Sequence, residues 1–314
     1  MPDGRRLPGS IEGRSLWGSA RDFAWLYSPS PLRSVLAPLL DIEREIAAAL
    51  RPGLDHGIAH MRLTWWREEC GRCAAGNPVH PASRALLGAA GGPVNPIGLV
   101  ETAEWDLAAA TFETRSELAA YCERWASAVT EIAAQRGGST GPSSAPDGRL
   151  AAPPGAAAVP NTRAAFGRRF GASLKELELL TAIADDARAG RLRLPLDELA
   201  QAGFDPAALA RAPWTPALCQ LIALRHRAAR TTLAESLTAL RPTDQPDLRG
   251  LLVWGALAAR ASRRTERAAC RSVSSGSRPV ETGPAARLAD SWQAWRAARR
   301  ADRHRFRLIE EIRA

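Results

Sequence analysis

The chain has 314 residues, 46% of them hydrophobic, which is enough to bury a large core as one helical domain or two smaller ones. Its 42 basic residues against 33 acidic ones leave a formal charge of +9, a balance that suits nucleic acid or an anionic membrane surface; Lys175 is the sole lysine, however, and no motif of the usual nucleic-acid modules occurs, which argues against a nucleic-acid partner. The start, 1–8, has no apolar segment of a signal peptide, the longest strongly apolar stretch, 251–259, is too short to span a bilayer, and five cysteines fit free thiols in a reducing compartment. The expectation is a cytoplasmic protein, with peripheral contact to the inner membrane left open.

Alanine, arginine and leucine dominate, and β-branched residues are few, so the elements read as helices. Residues 1–30 read as an N-terminal extension. From there, apolar residues at Val35, Leu36, Leu39, Leu40, Ile46 and Leu50 predict a helix over 32–50, broken by Arg51-Pro52-Gly53. A second helix is predicted over 54–75, a third over 96–110, and a fourth over 115–135 with Thr114 as N-cap and Glu117 completing a capping box. The Gly-, Ser-, Pro- and Ala-rich segment 136–161 reads as a flexible loop. Helical spacing resumes over 163–189; Leu194-Pro195 and Asp205-Pro206 each open a short helix; long helices cover 216–240 and 247–269. A polar linker, 271–284, precedes an Arg- and Trp-rich helix over 285–314. Eight or more helices and no convincing strand predict an all-α bundle, with 31–270 as its domain.

Two blocks carry a family likeness. Residues 54–86 contain Arg62-Leu63-Thr64-Trp65-Trp66-Arg67-Glu68 followed by Gly76-Asn77-Pro78-Val79-His80-Pro81; residues 185–199 contain Asp185-Asp186-Ala187-Arg188-Ala189-Gly190-Arg191-Leu192-Arg193-Leu194-Pro195. Between them lie Trp105-Asp106-Leu107 and Tyr121-Cys122. In order and spacing, over about 32–266, these resemble the squalene/phytoene synthase family. The resemblance implies an isoprenoid-synthase-like helical bundle around a central cavity, and a reaction joining two prenyl diphosphates head to head. In such enzymes two facing helices each present an Asp-x-x-x-Asp pair that holds Mg²⁺ against the diphosphates, since i, i+4 spacing puts both carboxylates on one helix face and hard oxygen donors suit Mg²⁺.

Here those carboxylates are depleted. Registered on the Trp65-Trp66 helix, the first pair falls at Ala47, Ala48 and Arg51. Asp41, Glu43 and Glu45 lie close by, but only Asp41 and Glu45 share a face, a turn or more too early. In the second motif Asp186 keeps the last position and Asp185 stands for a glutamate, while Ala182, Thr181 and Glu178 replace an aspartate, an arginine and an asparagine. Glu123, Ser127, Thr130 and Arg193 depart from the pattern as well. The resemblance is therefore closest to the family's non-catalytic branch, which includes mitochondrial complex I assembly factors. It implies a pseudoenzyme with an assembly or scaffolding role and a lipid or prenyl chain as ligand, needing no cofactor. The alternative is a working Mg²⁺-dependent prenyltransferase acting on farnesyl or geranylgeranyl diphosphate. For either, candidate substrate-binding residues are Arg51, Arg62, Tyr121, Glu178, Arg188 and Arg191, and candidate metal ligands are Asp185 and Asp186.

Other patterns have plainer readings. His56, His60, Cys70 and Cys73 have zinc-like spacings, but on one continuous helix His60 and Cys70 lie roughly 15 Å apart along the axis. Trp65 and Trp66 read as interhelical packing, Glu101, Glu104 and Asp106 as solvated charges, and Asp185, Asp186, Arg188 and Arg191 as either a surface ion-pair cluster or a residual anion or metal site. The last helix carries Trp292, Trp295, Phe306, Ile309 and Ile312 on one side, and Arg296, Arg299, Arg300, Arg303 and Arg305 supply charge. It is expected either to fold back on the bundle or to meet a membrane surface or a protein partner.

Overall fold

The computed structural model describes residues 19–51, 53–138, 162–211, 214–275, 284–303 and 305–313, and among them there is no strand. Fourteen α-helices follow in order: α1 Ala20–Tyr27, α2 Ser30–Ala47, α3 His56–Ala74, α4 Pro81–Ala90, α5 Ile97–Leu107, α6 Arg115–Ala126, α7 Ile132–Arg136, α8 Thr162–Thr181, α9 Ile183–Arg188, α10 Leu196–Gln201, α11 Pro216–Thr238, α12 Arg249–Ser275, α13 Pro284–Arg303 and α14 Arg305–Arg313. The all-α bundle expected from composition is what forms.

The centre of the bundle is α12, whose apolar run at 251–259 is buried along its whole length. A helix that is apolar all round must be covered on every side, and α1, α8, α11 and α13 pack against it. Residues 20–30, read from the sequence as extension, belong to this core: a Cβ on Gly250 of α12 would sit 1.9 Å from Ser28 Oγ and 2.4 Å from Ala24 O, so α1 lies directly on the α12 backbone. Arg249 Nε also donates to Tyr27 O at 3.0 Å.

The helices α6 and α8 make a similarly close approach. Between α6 and α7 one π-helical turn, Ser127–Glu131, carries Thr130, whose hydroxyl donates to Gly167 O of α8 at 2.7 Å. A Cβ on Gly171 would lie 1.8 Å from Thr130 Oγ1. The space that the Thr130 side chain occupies is supplied by the missing side chain of Gly171 on the opposite helix.

Local details adjust the sequence reading. Thr114 does cap α6, accepting from Glu117 N at 3.4 Å, but Glu117 reaches back to the N–H of Glu113 rather than of the cap itself, which leaves the box open on one side. The helix expected over 163–189 breaks at Ala182 into α8 and α9. A helix not anticipated, α4, starts at Pro81 under a cap from His80, whose Nδ1 accepts from Ala82 N at 3.2 Å. The last helix is two: α14 returns along α13, with Gln293 and Arg300 of α13 both bonded to Glu311 of α14. The segment 139–161 of the expected loop and 276–283 of the expected linker lie outside the described residues. No helix among the described residues is long and apolar enough to cross a membrane.

Candidate functional site

Five helices converge on one charged cluster at the middle of the bundle. Arg21 of α1 donates from Nη1 to Glu43 of α2 and from Nη2 to Glu178 of α8, the latter at 2.8 Å. Trp125 of α6 donates its indole N–H to the other oxygen of Glu43 at 2.8 Å. Trp125 and Trp254 of α12 meet edge to face with centroids 5.8 Å apart, and the Arg21 guanidinium lies 5.8 Å and 5.2 Å from the two rings. Lys175 closes the cluster, its ammonium 5.3 Å from the Trp125 ring and 4.0 Å from Glu178.

Two cations thus balance two carboxylates against two buried indoles. Burial opposes ionisation of Glu178, but Arg21 and then Lys175 outweigh it and hold the carboxyl below its ordinary range. Burial likewise opposes the charge on Arg21, and Glu178 and Glu43 overcome it, so the guanidinium stays protonated more firmly than usual. The Arg21 and Glu178 side chains keep 31% and 26% of their surface, so the cluster faces accessible space rather than sealed core.

A second cluster lies at the ends of α5 and α9. Arg193 donates from Nη1 to Asp106 Oδ1 at 2.7 Å and from Nε to Asp186 Oδ2 at 3.1 Å. Arg191 takes the other oxygen of Asp186 with both Nε and Nη2, at 3.0 and 2.7 Å. The Tyr121 hydroxyl donates to Asp106 Oδ2 at 3.1 Å, and burial first, then Asp106, push its pKa well above the usual phenol value. Asp106 is therefore not the solvated charge the sequence suggested but one of the anchors of a buried network.

The candidate residues are dispersed. Tyr121, Asp186 and Arg191 meet in the second cluster, and Glu178 belongs to the first. Asp185 is 79% exposed and pairs with the exposed Arg188 on the surface, so the two adjacent aspartates point to different environments. Arg51 and Arg62 are exposed, as is Ala47, at the position registered for a family aspartate. Near it Asp41 pairs with Arg44 at 2.9 Å and Glu45 is exposed, the two that share a face but lie a turn or more too early; Glu43 is the acid of α2 that turns inward.

The block around Trp65-Trp66 builds a corner instead of a site. Trp66 is buried and Trp65 is 40% exposed, and both pack on His80. Glu69, fully buried, accepts from the N–H groups of His80 and Val79 at 2.7 and 2.9 Å, which ties α3 to the start of α4. His56, His60, Cys70 and Cys73 all lie on α3; the cysteines are in the core, and burial pushes the Cys70 thiol up to about 12.

Arg21, Glu43 and Arg193 escaped the sequence reading. Glu43 had a signal, since it continues the apolar stripe of Leu36 and Leu39 along α2, and a carboxylate inside such a stripe must find a partner. Arg193 was noted only as a departure from pattern. Arg21 stood in the segment set aside as extension.

Comparison with known proteins agrees with this architecture. No curated protein sequence matches the chain. Among solved structures, squalene synthase HpnC from Alicyclobacillus acidocaldarius superposes with a TM-score of 0.60 at 20% identity, covering 79% of this chain and 88% of that one. A dehydrosqualene synthase solved in complex with ligand gives a TM-score of 0.65 at 13% identity, covering 89% of this chain and 92% of that one. At such identities the likeness speaks for the fold. The squalene/phytoene synthase family model matches residues 19–283, from just ahead of Arg21 to beyond the described end of α12, and on that match the chain belongs to the squalene/phytoene synthase family.

Proposed function

We propose that this chain is a non-catalytic member of the family, in which a resident arginine takes the place of a metal between the two acidic helices. The observation that carries the reading is the bridge from Arg21 to Glu43 on α2 and Glu178 on α8. A Mg²⁺ ion needs several oxygen donors with lone pairs directed at one point. The oxygens of Glu43 are engaged by Arg21 and Trp125, Asp186 is held by Arg191 and Arg193, and Asp185 faces outward with Arg188. This donor set does not fit the ion, and no group of three or more potential ligands occurs among the described residues. The role left to the fold is binding: assembly or scaffolding, like the non-catalytic branch it resembles, with a lipid or prenyl chain as the ligand class that resemblance implies.

The solved relatives are named as synthases, so the test is direct. Purified protein incubated with farnesyl or geranylgeranyl diphosphate and Mg²⁺ is expected to release no pyrophosphate and form no coupled hydrocarbon. Mg²⁺-dependent turnover would overturn the reading. If that turnover disappeared in the double substitution Asp185→Ala, Asp186→Ala, the prenyltransferase alternative would take its place.

A further inference from the structure

The helix α13 is docked by one face and dressed for contact on the other. Ala294, Ala297, Ala298 and Ala301 are buried at three- and four-residue spacing, and α13 packs on α12. At about 100° per residue, the direction opposite these alanines carries Leu288, Trp292, Trp295 and Arg299. Leu288 is 73% exposed, Trp292 59% and Trp295 39%. The two indoles stack with centroids 4.8 Å apart, and the Arg299 guanidinium lies 4.9 Å from the Trp295 ring. Between 288 and 300 the one acid, Asp290, is turned inward to Arg260 and Arg264. The outer face is thus apolar, aromatic and cationic, with no carboxylate from this stretch to repel an anion.

Folding back on the bundle and meeting a membrane are therefore not alternatives for this helix. We propose that the Leu288–Trp292–Trp295–Arg299 face seats the protein on an anionic lipid surface, with α13 lying in the headgroup plane and the bundle above it. Indoles favour that depth because one edge is apolar and the other hydrogen-bonds, while arginine stems cover apolar surface and deliver charge to phosphates. A nucleic acid would use the arginines but gain little from Leu288. A purely apolar partner surface would leave Arg299 without a counter-charge.

The full-length protein should co-float with vesicles of phosphatidylcholine mixed with phosphatidylglycerol, and only weakly with phosphatidylcholine alone, the difference shrinking as salt rises. Replacing both Trp292 and Trp295 by alanine should cut binding at least about tenfold through lost apolar area. Arg299→Gln should cut it about fivefold. Because these side chains are exposed, helical content and Tm should stay at wild-type values, which separates lost contact from lost fold. The proposal is overturned if the wild type fails to bind the mixed vesicles, or if the double tryptophan variant binds them as well as the wild type. It is also overturned if binding passes equally to duplex DNA with no dependence on the tryptophans, or if the face proves to be covered by a second copy, seen as a lipid-independent dimer that the double variant abolishes.

Discussion

Arg21 and Glu178 stand 157 positions apart in the chain and are joined at 2.8 Å in the middle of the bundle. The same guanidinium reaches Glu43, so one side chain from the first helix ties together two helices that both carry inward-facing acids. A fixed organic cation differs from a metal ion in one decisive respect. It cannot leave, exchange or accept a phosphate oxygen into a coordination shell, and it is anchored through Nη1 and Nη2 to the two carboxylates.

Removing that cation should expose the imbalance. Arg21→Met is expected to destabilise the fold by about 2–4 kcal/mol at neutral pH, below the cost for a fully buried pair because both partners keep some accessible surface. In the wild type the depressed pKa of Glu178 gives stability that is present above the ordinary glutamate range, near 4.3, and is lost as the pH falls from there through the folded value. The deficit of Arg21→Met should therefore narrow in acid, where the carboxyls are neutral, and adding Glu178→Gln should recover much of it. Urea titrations at neutral and acidic pH check this; an Arg21→Met variant as stable as wild type at pH 7 would remove the charge-balance account.

The two arginines near Asp185 and Asp186 should behave oppositely. Arg193 is 5% exposed and bridges Asp106 to Asp186. Its replacement by leucine leaves Asp186 with Arg191 alone and Asp106 with only the Tyr121 hydroxyl, and should cost about 2–4 kcal/mol, below that of an unpaired buried charge. Arg188 pairs with Asp185 in solvent, so Arg188→Ala should leave the denaturation midpoint unchanged within error. Equal effects from the two substitutions would contradict the division of the motif into a structural aspartate and a surface one.

Acid should also act through His226. The ring is fully buried between α11 and α12, with Nδ1 2.9 Å from Ser262 Oγ, and burial foremost, then Arg230, push its pKa down to about 4. The unfolded chain takes up this proton near 6.5 while the folded one does so only near 4, so the unfolded state binds more protons between those values. Stability should fall as pH drops through that window, by at most roughly 1.4 kcal/mol per pH unit from this group. His226→Gln should flatten the profile there, measured as Tm against pH. An unchanged slope would show that other groups set the acid sensitivity.

Steric coupling across α6 and α8 offers a test that charge does not confuse. In Gly171→Ala the new methyl would meet Thr130 Oγ1 at 1.8 Å, and the clash should cost about 1–3 kcal/mol. Thr130→Gly in the same molecule should restore part of the loss, because it clears the nearest contact. A double-mutant cycle with no coupling between the two positions would refute the packing argument.

Much of the fold was legible in the sequence. Apolar spacing located α2, α3, α5 and α11 to within a few residues, the helix expected over 115–135 is divided into α6, a π-helical turn and α7, and prolines at 195, 206 and 216 marked where short and long helices open. The missed α4 follows a proline and histidine that read locally as a turn. Just ahead of its start, Glu69 accepts the N–H of Val79, ten residues further along the chain. The single C-terminal helix became two because its two apolar groups serve different surfaces: Leu308, Ile309 and Ile312 are buried, whereas Trp292 and Trp295 remain outside.

The sequence by itself determined the helical class, the order of the family blocks and the loss of aspartates from the expected positions, because helix period, capping and residue identity are local properties. Only the tertiary structure decided which charges are taken out of water: that Glu43 turns inward where Asp41 and Glu45 do not, that Asp106 and Arg193 form a core pair across 87 positions, and that Trp125 reaches Glu43 across 82. The physical reason is that the cost of desolvating a charge and the gain from its partner are set by the helices packed around it, and those arrive from distant parts of the chain.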